Sequence, residues 1–296
     1  MPVGMTADAV STGNKNALHQ ALFTFNHDRL APSLPTAEWR EAIDAHACML
    51  VEEGEFLEAS REMVSARAAT APCDADGFVC WFKALEQDGP GQNDPLFPWL
   101  AETATRAEMC WFLAQEVAGE AGFDDLAALT QVGMPVSTKL EIARNYWDEM
   151  GRGNPKGMHG PMLEKLSISL GLSPKVNDTV SESLVLANTM VGLAANRRYA
   201  YHSVGALGII EQTAPGRARL VARGLKRLGV PAADRHYFDL HATLDIKHAE
   251  AWNAEAIYPL VATFPALARP IAEGALMRLE CGAACFRRYR SELGLV

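Results

Sequence analysis

In the segment HYFDLHATLDIKHAEAW, His241, Asp245 and His248 stand at i, i+4 and i+7. At about 100° per residue these positions fall within a helical stripe roughly 60° wide, so their side chains enter one volume. Two imidazoles and a carboxylate suit iron, zinc or manganese better than magnesium or calcium, which favour oxygen ligands. Taken alone, the triplet is equally readable as two structural histidines beside a surface aspartate. A second group lies in NYWDEMGRGNPKGMHGPML. Gly151, Gly153, Asn154, Pro155 and Gly157 predict a reversal between two helices, which brings Glu149 toward His159. The plainer reading leaves Asp148 and Glu149 solvated, with His159 ahead of a proline-initiated helix.

Glu211 follows the apolar, small-residue run Val204-Gly205-Ala206-Leu207-Gly208-Ile209-Ile210. A carboxylate buried at the end of such a run is costly unless a cation or proton neutralises it. Exposure at a frayed terminus before Pro215 is the alternative. Glu116 and Glu120 lie one turn apart on an otherwise apolar stretch, and either can reach a metal in the core; solvation is the ordinary fate of such residues. Glu149, Glu211 and Asp245 with one of Glu116 or Glu120 supply four negative charges, the balance for two ferrous ions in a low-dielectric interior. Three histidines complete a sulfur-free, carboxylate-rich set of the kind that supports oxygen activation at two irons. No glutamate stands three residues before any histidine, which disfavours a ferritin-type bundle.

The elements that must position these groups read as helices. Apolar residues recur at helical spacing from Thr36 to about Ala68, as one helix or two, and a short helix is expected near Ala17–Phe25. Ala71 to Pro98, rich in proline and glycine, reads as a connection with at most one short element. Beyond it the periodicity predicts helices over Trp99–Ala121, Asp124–Gln131, Ser137–Met150, Pro161–Leu170, Glu182–Glu211, Arg217–Leu228, Asp234–Ile257 and Pro265–Leu293. Strand patterns with turn dipeptides are absent. The expected fold is all-α: a helical bundle over residues 99–296, with residues 1–98 as an N-terminal helical extension and connection packed on it, the two making one continuous globular unit.

Composition narrows the function classes. The 296 residues are 49% hydrophobic and 21% charged, ordinary globular usage that excludes disorder and a highly charged coiled coil. A net charge of −9 argues against nucleic acid as a partner. The six cysteines, Cys48, Cys73, Cys80, Cys110, Cys281 and Cys285, form no CxxC pair and no disulfide framework. The first residues lack the charged and apolar regions of a signal peptide. Arg197 and Arg198 interrupt the most apolar stretch, Leu184 to Ile210, so no membrane span is expected. A reducing cytoplasm is the expected location.

The order and spacing of Asp148-Glu149-Met150-Gly151-Arg152-Gly153, His159, Glu211 and His241-xxx-Asp245-xx-His248 resemble the haem-oxygenase-like di-iron oxidases and oxygenases, the iron-containing redox enzymes. The resemblance covers about half the chain, Trp99 to Trp252. It implies an all-α, haem-oxygenase-like bundle in which Glu149, His159, Glu211, His241, Asp245 and His248 bind iron, with Glu116 or Glu120 as the early-helix ligand. It implies two Fe(II) ions, O2 as co-substrate and a small organic substrate that is N-oxygenated, desaturated or cleaved at a C–C bond. An electron donor and a homodimer are compatible with it. Tyr146, Asp148, Tyr201, His202 and Tyr237 are candidates to support the ligands, and Arg144, Arg152, Arg197 and Arg198 to meet a substrate carboxylate. Two other classes remain: a metal-independent enzyme of the same superfold, and a non-catalytic helical protein that binds metal or a partner.

Overall fold

The computed structural model describes residues 7–119 and 122–295. Among them there is no strand, only an isolated antiparallel pairing of Met150 with Met158. The chain opens with α1 (Ala7–Leu30) and α2 (Trp39–Ala68), a single helix of 30 residues. α1 runs well past the short helix expected near Ala17–Phe25. Its stability comes from packing on a later helix, where Leu22 and Phe25 are buried and Asn26 Nδ2 donates to Asn188.

The proline-rich stretch from Ala71 to Pro98 is more ordered than its composition predicts. It holds α3 (Ala75–Asp88) and the start of α4 (Leu96–Glu102). Asp74 caps α3 by accepting from the Gly77 amide at 2.7 Å, and Phe78, Phe82 and Leu85 bury one face. Apart from Gly77 in the first turn, the breakers of that stretch fall before α3, between the two helices, or in α4's first turns. A second break falls at Thr103–Thr105, before α5 (Arg106–Gly119). There Thr105 and Glu108 form a reciprocal cap, with the Thr105 amide donating to Glu108 at 2.7 Å and the Glu108 amide to Thr105 at 3.3 Å.

α6 (Phe123–Thr130), α7 (Val136–Glu149) and α8 (His159–Leu170) follow the expected pattern. The run expected over Glu182–Glu211 is two helices, α9 (Ser181–Ala195) and α10 (Ala200–Arg227). Asn196 parts them, its side chain accepting from the Arg198 amide. α10 then continues through Pro215, where a stop was expected. Pro215 has no N–H to give the Glu211 carbonyl, so the helix runs on with one rung missing beside that residue.

α11 (His236–Ala251) passes through a wide π-turn, Trp252–Ile257, into α12 (Tyr258–Thr263), and α13 (Ala268–Glu292) closes the chain. α10 is the axis of the molecule and packs on α4, α9, α11 and α13. The small residues noted in its sequence permit this. A Cβ on Gly205 would lie 1.9 Å from the Ile271 carbonyl oxygen of α13, and one on Gly208 would lie 2.5 Å from the Trp252 indole. The N-terminal helices join the same body, α2 lying on α13 and α3 on α12. No helix of the described residues is long and apolar enough to cross a membrane.

Candidate metal centre

α7, α8, α10 and α11 carry the chemistry-bearing residues, and their ends and faces meet at one place. Glu149 is the last residue of α7 and His159 the first of α8. Between them the chain reverses through Gly151 and Gly157, whose backbones touch: a Cβ on Gly151, which has φ +59°, would lie 2.3 Å from the Gly157 carbonyl carbon. The Met150–Met158 pairing clamps the loop, so the flanking Glu149 and His159 are held side by side. Glu149 Oε2 lies 2.7 Å from His159 Nδ1, and both residues are buried.

α11 presents His241, Asp245 and His248 on one stripe, and α10 contributes Glu211. Two compact groups result, Glu149 with His159 and His241, and Glu149 with Glu211 and His248. Within each, one ligand atom per residue lies within 4.8 Å of the others. Glu149 belongs to both. Asp245, buried on the same stripe, lines the cavity beside Glu149, Glu211 and His241.

Hydrogen bonds already fix which atoms face inward. His241 Nδ1 lies 2.7 Å from the Tyr237 carbonyl oxygen, which can only accept; Nδ1 therefore carries the proton and Nε2 keeps its lone pair. His248 is oriented the other way. Its Nε2 lies 3.1 Å from Asp148 Oδ2, and Arg152 Nε holds Asp148 at 2.5 Å, leaving Nδ1 turned toward Glu211 at 3.4 Å. Asn145, one turn before Glu149 on α7, donates to Glu211 Oε1 at 2.6 Å. After these bonds, His159 Nδ1, His248 Nδ1 and Asp245 Oδ1 are buried with no hydrogen-bond partner. Buried imidazole nitrogens and carboxylate oxygens crowded together with unmet hydrogen-bonding capacity are what a cation satisfies, so the residues present fit a metal.

The electrostatics divide the group into residues that hold a proton in the absence of a cation and residues that do not. Burial, and the negative charges of Glu211 and Glu149, push the Asp245 carboxyl far above the ordinary carboxylate range. Burial, with the nearby His248, holds His159 down to about 4. Burial and His159 hold His241 down to about 4. Both imidazoles are thus neutral donors at pH 7. Burial works against protonation of His248 too, but Glu211 and Asp148 outweigh it and raise this residue to about 9.

Residues 110–283 match the family described as iron-containing redox enzymes. The chain belongs to that family. Its match runs from α5 into α13 and contains the whole group just described. A comparison with curated proteins finds no match. Among solved structures, the chain is similar to a domain of unknown function with a heme oxygenase-like fold from Shewanella denitrificans OS217. That pair shares 15% identity over 73% of this chain and 90% of the other, with a TM-score of 0.54. It is also similar to a CADD-like protein of unknown function from Nostoc punctiforme PCC 73102, at 17% identity over 82% and 98%, with a TM-score of 0.52. The fold of this iron-containing redox enzyme family member is therefore heme-oxygenase-like, as its sequence predicts.

Not every candidate joins the group. Glu116 lines the same cavity but its carboxylate accepts from Tyr289 Oη at 3.0 Å, beside Arg217 and Arg278. Glu120 lies outside the described residues. Of the supporting candidates, Asp148 orients His248, and Tyr237 acts through its backbone carbonyl, while His202 instead pairs with Glu273 at 3.0 Å. Tyr146 and Tyr201 pack against the core as half-buried side chains. Arg144, Arg152, Arg197 and Arg198 are all exposed; they pair with Glu141, Asp148, the Leu129 and Val132 carbonyls, and Glu58. Asn145 escaped the sequence reading, although its position one turn from Glu149 was the available signal.

Proposed function

We propose that this family member is a non-haem di-iron oxidoreductase that uses O2 to oxidise a small organic molecule. One observation carries the proposal: two groups of three carboxylate and imidazole residues share Glu149, with one ligand atom per residue within 4.8 Å of the others in each. A carboxylate common to two such groups could serve a pair of cations. Glu149, Glu211, Asp245, His159, His241 and His248 would hold them. Ferrous ions bound there supply electrons and open coordination positions for O2.

The protein's own contribution is placement and exclusion of water. Tyr237 and Asp148 set the tautomers of His241 and His248, and Asn145 holds Glu211 in a single orientation. Beyond the carboxylates the cavity, of about 190 Å³, is walled largely by apolar side chains such as Phe123, Ile210 and Phe238. Such walls keep bulk water from a reactive centre. N-oxygenation, desaturation and C–C cleavage are all outcomes this arrangement accommodates. A metal-free reading needs another reactive group, and the cysteines do not supply one. Burial pushes the thiols of Cys281 and Cys285 up, away from the reactive thiolate.

The test is anaerobic reconstitution with ferrous iron followed by exposure to O2. The expected result is close to two irons per chain and O2 consumption that His241→Ala and His248→Ala abolish. Oxygen consumption by the chelator-treated protein equal to that of the loaded protein, or iron binding unaffected by both substitutions, overturns the proposal.

A further inference from the structure

The cavity that contains the carboxylate and histidine group has a second, chemically opposite end. Arg217 of α10 and Arg278 of α13 both line it, and Glu116 is the acidic residue nearest in character to offset them. Among the described residues neither guanidinium has a carboxylate within ion-pair distance, whereas Arg290 pairs with Asp94 and Arg61 with Glu273. Arg217 donates only to the neutral oxygens of Thr213 at 3.1 Å and Gln92 at 3.4 Å. Its guanidinium lies 5.7 Å from the Phe286 ring centroid and 5.9 Å from that of Phe97. Arg278 Nε is buried with no hydrogen-bond partner at all. Gly282, one turn further along α13, makes the space for this side chain, since a Cβ there would lie 2.9 Å from Arg278 Nη1.

Two half-buried like charges facing a common space are unfavourable unless an anion joins them. Glu116 compensates only in part, because burial pushes its carboxyl up and Tyr289 already occupies one of its oxygens. Burial and the Arg278 charge lower Arg217 only to about 10, so it remains a cation at neutral pH. The planar fork of arginine matches a carboxylate through paired hydrogen bonds. The same cavity is otherwise lined largely by apolar side chains, among them Phe123, Met190, Ile210 and Phe238. Its 190 Å³ is below the range of about 300–1,000 Å³ typical of drug-sized ligands. Arg217 lies six residues beyond Glu211 on the same helix, about 9 Å along its axis.

We propose that Arg217 and Arg278 form the carboxylate-binding end of the substrate site, so that the substrate is a small organic acid whose apolar portion extends toward the histidines. This deepens the di-iron reading and rests on it for the word substrate, but the anion site is testable without iron. Butanoate, hexanoate and octanoate, with hexanamide and hexyl phosphate as controls, are titrated calorimetrically into the full chain. Each titration is run on chelator-treated protein and on anaerobic, iron-loaded protein. At least one acid is expected to bind saturably at one per chain in both forms, with hexanamide at least about tenfold weaker than hexanoate. Arg278→Gln should weaken the acid at least about tenfold and leave iron content unchanged, with Arg278→Lys recovering part of the loss. Should Arg278→Gln fail to fold, Gly282→Ala, which displaces the same guanidinium, is the second variant and should weaken the acid likewise. Binding by none of the acids, equal binding of hexanoate and hexanamide, tighter binding of hexyl phosphate, or an unchanged affinity in folded Arg278→Gln overturns the assignment. Retained iron with failed acid binding removes this inference alone; acid binding by a protein that takes up no iron on anaerobic reconstitution removes the di-iron reading and leaves an anion site.

Discussion

At the scale of single residues, the group is defined as much by the atoms that orient its members as by the members. Asp148 touches His248 at 3.1 Å and is itself only partly exposed, so Asp148→Ala should leave the fold intact while freeing the imidazole. Iron affinity is expected to fall about 10- to 100-fold, read by competition with a chromogenic chelator, with a melting temperature close to that of the wild type. Asp245 makes the opposite case. Its folded pKa lies above its unfolded one, so its contribution to stability is complete below the ordinary aspartate range. That contribution is lost as pH rises through the folded value. Asp245→Asn should therefore stabilise metal-free protein at pH 8, by on the order of 1–3 kcal/mol in urea unfolding, with a smaller gain at pH 5. The same variant should bind iron more weakly. These residues were legible because their spacing is local: His241, Asp245 and His248 share one helix face, and Glu149 and His159 flank one glycine-rich turn. Arg217 and Arg278 were not, because they stand 61 positions apart on different helices and nothing in either local pattern points to the other.

At the scale of elements, the reversal between α7 and α8 and the crossing of α10 with α13 do different work. Gly151→Ala places a side chain at φ +59° and against the Gly157 backbone, which opens the turn between Glu149 and His159. The expected cost is about 1–3 kcal/mol, with a disproportionate loss of bound iron measured per folded chain. Gly205→Ala forces apart the two most buried helices and should cost more than about 3 kcal/mol in chemical denaturation, if the chain accumulates at all. The long helices were readable from their periodicity, yet their boundaries were not. α10 runs through Pro215 because packing on its neighbours outweighs one lost rung, and α9 ends at Asn196 although no glycine or proline marks the place. α3 was hidden by the prolines and glycines around it, and its Asp74 cap was the overlooked sign.

At the scale of the whole molecule, three carboxylates and three histidines drawn from four helices make the centre a load on the fold when it is empty of cations. Iron binding should therefore raise the melting temperature, by about 5 °C at a free concentration a hundredfold above Kd, and chelation should reverse the shift in differential scanning fluorimetry. Hydrogen exchange should be slowest across α10 and α13, which form the interior, and fastest in the first turns of α2, where residues 39–48 are exposed. The π-turn at Trp252–Ile257 bears on how the chain tolerates changes in length. One residue inserted between His241 and His248 would turn His248 by about 100° away from the stripe it shares with His241. The wide turn begins only four residues after His248, and its exposed Ala254 and Glu255 offer a place where one residue can be lost while the helix tightens to ordinary α geometry. Deletion of Ala254 is therefore expected to leave iron content per folded chain close to that of the wild type, whereas an alanine inserted after Leu244 should abolish it.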